Sequence, residues 1–179
     1  MNTADFWLPI LVSAAFCFVA GAVIWMAMPW HKKDYSKTGD EEAVRAALKG
    51  NAPGTYSLPH VKTNAEFQSP EMQEKLKEGP TAFITVMPSG IPTMGGKLVQ
   101  MFALNLVVAA LCAYMLTMTQ AQDYLDIYRV TCTTAWIAYG VAYLQESIWF
   151  GRPWSLAIKN LVDALIYGLL TGGVFGWLA

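Results

Sequence analysis

Hydrophobic positions in this chain run on instead of alternating. Phe6–Met28, Leu98–Met118, Arg129–Phe150 and Leu156–Leu178 are almost continuously apolar. Each is about as long as the roughly 20 residues a helix needs to cross a bilayer core. The pattern predicts an all-α membrane protein, a four-transmembrane-helix bundle with a small α+β extramembrane insertion between helices 1 and 2. The first helix falls in residues 1–30, the insertion in 31–96 and a three-helix region in 97–179.

The insertion follows other rules. Thr38-Gly-Asp-Glu41 reads as a capping box, in which the hydroxyl and the carboxylate satisfy the first backbone donors of a helix. That helix runs to about Lys49 and stops at Gly50. Pro53, Gly54 and Pro59 then break regular structure. Ser69 caps a second short helix with Pro70 in its first turn, ending before Gly79-Pro80. Thr81–Met87 is β-branched and aromatic and predicts a strand, paired with Thr55–Val61. So small a unit is marginal alone, and it calls for the bundle, a second copy or a partner to hold it.

Composition agrees with membrane insertion. Only 14% of the 179 residues are charged, against about 25% in soluble domains. A net charge of -1 offers no basic field for nucleic acid. The leader Met1–Asp5 has no basic side chain, and the first run exceeds the roughly 7–15 apolar residues of a signal peptide core, so it reads as a retained helix. Aromatic residues cluster at the edges of the runs, as interface anchors do. They include Phe6 and Trp7, Trp25 and Trp30, Tyr124 and Tyr128, Trp149 and Phe150, and Trp154 and Trp177.

Basic residues orient the chain. Lys32, Lys33, Lys37, Lys97, Arg152 and Lys159 flank the runs on the insertion side, whereas Arg129 alone flanks the other, beside Asp5, Asp123 and Asp126. Cytoplasmic loops are enriched in Lys and Arg. The insertion is therefore expected in the cytoplasm and both termini outside, in the periplasm if the host membrane is a bacterial inner membrane.

Polar residues interrupt the runs unevenly. Asp163, Glu146, Asn105, Lys159, Asn160 and Arg152 all fall in the basic half and form the candidate intramembrane cluster. An ionised residue there costs about 2.5–3.5 kcal/mol on insertion scales and usually faces a partner or a cavity. Asp163 reads either as a proton or ligand site, or as half of a structural pair with Lys159 (i,i+4), Arg152, Asn160 or Asn105. Glu146 reads as a boundary residue paired with Arg152, and Asn105 as interhelical glue. Ala164, Gly168, Gly172 and Gly176 recur every fourth position and give the last helix a close-packing face.

Chemistry beyond this is sparse. Cys17, Cys112 and Cys132 lie inside apolar runs and read as packing. His31 and His60 read as interface or loop residues, since neither has metal-ligand spacing. No catalytic motif, phosphate loop, metal set or cofactor signature occurs. The leading expectation is a non-enzymatic membrane subunit or scaffold, homo-oligomeric or joined to other membrane proteins. One alternative is a small proton- or cation-linked transporter or channel component built on Asp163. Another is an intramembrane lipid-modifying enzyme.

Overall fold

A computed structural model describes residues 3–179, the side chain of residue 4 apart. The chain divides into two compact units, one made of Met1–Tyr35 with Thr93–Ala179 and the other of Ser36–Pro92.

Helix α1 (Trp7–Ala22) continues through a widened turn, Val23–Ala27. In the Ser36–Pro92 unit, α2 (Glu41–Leu48) is capped by Asp40, whose carboxylate accepts from Ala43 N at 2.9 Å. The cap is thus two residues later than the Thr38 capping box. Asp is as good an N-cap as Thr, and its charge also favours the positive end of the helix. Strand β1 (Gly54–Leu58) is followed by α3 (Asn64–Phe67), a turn of helix capped by Thr63 that the sequence pattern does not announce. Then come α4 (Pro70–Glu78), capped by Ser69, and β2 (Ala82–Val86). The strands pair antiparallel, with Tyr56 opposite Ile84. Met72 is the one buried residue of this unit, so its core is thin.

The apolar unit resumes with α5 (Met94–Thr117), α6 (Tyr124–Gly140), α7 (Ala142–Phe150) and α8 (Trp154–Leu178). Among the described residues three helices are long and apolar enough to cross a membrane: Trp7–Ala27, Met94–Thr117 and Trp154–Leu178. That makes the chain an integral membrane protein. The run Arg129–Phe150 is not one such helix. It is divided at Val141, between α6 and α7. Gly140, a poor helix former, sits there against α8, where an added Cβ would meet Ala164 Cβ at 2.9 Å. Apolarity alone does not reveal the break.

Helices α1, α5, α6 and α8 pack in a closed ring, each on two neighbours, with α6 and α8 in the most extensive contact. Gly168, Gly172 and Gly176 face α6. An added Cβ would lie 2.8 Å from Cys132 O, 2.9 Å from Cys132 Cβ and 2.9 Å from the Tyr124 ring, respectively. One buried cluster centres on Val108, Cys112, Ala135 and Phe175. Phe6 belongs to it, with its ring 6.3 Å from Phe175, and so is a core residue and not an interface anchor. Large apolar side chains such as Trp7, Met26, Val107 and Leu169 remain exposed around the ring. This suits a lipid-facing surface better than a watery one.

Candidate functional site

The site lies where the segment after α1 folds back on the first three turns of α8. Met28 ends the widened turn in extended backbone, and Lys32 N to Pro29 O and Asp34 N to His31 O bonds close tight turns. These turns bury the His31 and Asp34 side chains, each 3% exposed. Trp25 stacks on the imidazole at 4.1 Å, nearly parallel at 8°.

His31 joins two carboxylates. Its Nδ1 is 2.5 Å from Asp34 Oδ2 and its Nε2 is 2.8 Å from Asp163 Oδ2. Asp34 Oδ1 in turn accepts from Lys159 Nζ, which also donates to Trp30 O at 2.6 Å. The order is therefore Asp163, His31, Asp34, Lys159, an unbroken line of hydrogen bonds.

Geometry limits where the protons can sit. A ring nitrogen must carry a proton to donate to a carboxylate, and both nitrogens donate only in the imidazolium. With that form, two carboxylates face one imidazolium and one ammonium, and the cluster is neutral. Moving the Nε2 proton to Asp163 changes neither the net charge nor the hydrogen bond. Two proton placements thus share one geometry. Outside the spans, Asp34 is held below the usual carboxylate range, first by the hydrogen bond from Lys159 and then by that from His31, against the opposing effect of burial.

One oxygen is left over. Asp163 Oδ1 is buried and has no hydrogen-bond partner. Asp163 lines a cavity of about 280 Å³, together with Trp25, Leu104, Tyr139, Tyr143, Asn160 and Tyr167.

The sequence-predicted cluster is split. Asp163, Lys159 and Asn160 come together here, but Lys159 reaches Asp34 instead of Asp163. The lysine stem is long enough to leave its own helix face, and Asp34 offers a second carboxylate. Asn105 lies elsewhere, donating to Ala14 O at 3.4 Å and accepting from Tyr139 Oη at 3.2 Å. It joins three helices and does not bond to Asp163. Glu146 and Arg152 pair with each other at 3.1 Å, about half exposed, and line no part of the cavity. Ala164 is buried and borders both the cavity and Gly140.

His31 and Asp34 are the residues that sequence reasoning missed. Their partner is 132 and 125 positions away in the two key bonds, and no local spacing signals that. The one available hint was a histidine and an aspartate flanked by Trp30 and lysines at a span edge. His60, in the other unit, pairs with Ser57 Oγ at 3.1 Å. Among the described residues no group of three or more His, Cys, Asp or Glu side chains could hold a metal ion. His31 presents opposite nitrogens to its two carboxylates, so these three cannot converge on one ion.

Comparison with protein-family models, with curated proteins and with solved structures returned no match to this chain.

Proposed function

We infer that this integral membrane protein is a small proton-linked transporter or channel component, with Asp163, His31 and Asp34 as its proton relay. The observation that carries this reading is the hydrogen-bonded line from Asp163 through His31 to Asp34, which begins at an unpartnered carboxylate oxygen. Asp and His chains inside membranes serve as proton relays, because each member can hold or release a proton without leaving its place. A buried carboxylate with only a structural role is expected to have both oxygens hydrogen-bonded.

In this reading the chain crosses four times, with α6 and α7 together making one broken pass. Broken helices are tolerated at membrane depth where they line a cavity, and Tyr139 and Tyr143, on either side of the break, line this one. The positive-inside bias puts Ser36–Pro92 in the cytoplasm and the termini on the far side of a bacterial inner membrane. The test is proton flux into liposomes holding the purified chain. Wild type should pass protons under a pH gradient, and Asp163→Asn should fall to the level of empty liposomes. Equal flux from the two would sink the reading.

A second reading, a membrane subunit or scaffold that is oligomeric or docks on other membrane proteins, is supported by the Ser36–Pro92 unit. It has Met72 as its one buried residue, while Met87 and Ile91 are exposed. Mass measurement in mild detergent tests it, and a monomer free of other proteins would count against it.

A further inference from the structure

The cavity beside the relay has a chemistry of its own. Its lining includes one carboxylate, Asp163, and no lysine or arginine. Asp163 is 3% exposed, and its Oδ1 lacks a hydrogen bond. A buried carboxylate oxygen without a donor is costly, so a ligand that supplies a charged N–H would be held there. An anion would meet the Asp163 charge with no lysine or arginine in the lining to offset it.

Aromatic rings make up much of the remaining wall. Tyr139 and Tyr167 meet edge to face, with centroids 5.3 Å apart, and Tyr143 joins them. The Tyr139 hydroxyl is already engaged with Asn105, so that residue offers its ring and not its O–H. Ring faces attract cations, most strongly away from water. At about 280 Å³ the cavity lies just under the ~300–1,000 Å³ of common ligand pockets, so its ligand is small. Leu104 and Tyr143 are also exposed on the apolar outer surface. That opening favours a molecule able to arrive through lipid in uncharged form.

We propose that the cavity binds a small alkylamine as its ammonium ion, paired with the Asp163 carboxylate and with the alkyl groups among Tyr139, Tyr143 and Tyr167. The uncharged amine takes one proton from the Asp163 carboxyl, which stays ionised as its counter-ion while the ammonium is bound; after the ammonium leaves, His31 passes a proton to Asp163 and takes one from solvent by way of Asp34. The proton's source rests on the relay proposed above, whereas binding of a ready-made ammonium does not.

The probe is tert-butylammonium, measured by equilibrium dialysis on the full chain in detergent, with tert-butanol as the uncharged shape match. Binding should saturate, tert-butanol should neither bind nor compete, and Asp163→Asn should weaken binding about tenfold or more. Should Asp163→Asn fail to fold, Tyr143→Leu keeps the relay intact and should weaken binding roughly threefold through the lost ring face. Equal binding of tert-butanol, or no saturable ammonium binding, overturns the proposal. Flux measured on the same preparation separates the two claims. A chain that passes protons but does not bind tert-butylammonium overturns the ammonium site alone. A chain that binds it but passes no protons upholds the site and overturns the relay.

Discussion

At the scale of single residues, the balance among three buried titratable groups and a half-buried lysine decides the outcome. Removing one partner of a buried ion pair strands the other, at about 3–5 kcal/mol. Lys159→Met should therefore destabilise the detergent-solubilised protein by about that amount, read from its thermal midpoint against wild type. Asp34 makes the same point through pH. Its carboxyl is held below the usual range in the folded state, so it binds fewer protons folded than unfolded. Its stabilisation is fully present above about pH 3.9, the unfolded value. It is lost as pH falls through the lower folded value. The stability difference between wild type and Asp34→Asn should accordingly be constant near neutrality and shrink on acidification below about pH 4; a difference independent of pH would contradict the assignment. Asp163 was legible in the sequence because a carboxylate inside an apolar run is conspicuous. His31 and Asp34 were not, because polar residues at a span edge look like ordinary interface until the chain brings a distant helix to them.

At the scale of elements, the small residues of α8 were legible as a close-packing face, but not whom they face. The partner is α6, within the same chain. Gly168→Ala would drive Cβ to 2.8 Å from Cys132 O, a backbone atom that cannot turn aside. Overpacking of this kind costs about 1–3 kcal/mol. Gly173 is the matched control on the same helix, with nothing within 4 Å of an added Cβ. Gly173→Ala should be neutral or slightly stabilising, since Ala is the better helix former by about 1 kcal/mol. Equal thermal midpoints for the two variants would contradict the packing. The break at Val141 was invisible in the sequence for a physical reason. Apolarity reports burial in lipid and does not register a local change of helix geometry beside a glycine.

At the scale of the whole molecule, hydropathy identified a membrane protein and a small α+β insertion, but it overcounted continuous spans. Among the described residues three helices are long and apolar enough to cross, and the proposed fourth pass requires α6 and α7 to act together. Single cysteines at Gln122 and Arg152 in a cysteine-free background test this, by labelling intact membranes with an impermeant thiol reagent. The two sites should be labelled from opposite sides, and labelling from the same side would remove the fourth pass.

The central claim is that His31 connects Asp163 to Asp34 as a proton path. Proton flux in liposomes carrying His31→Gln tests it most directly. The glutamine amide nitrogen can donate to one of the two carboxylates, and both carboxylates are retained, but an amide cannot pick up and pass on a proton. For variant protein that elutes and melts as a folded chain, the account predicts flux at the level of empty liposomes. Flux equal to that of wild type would contradict it.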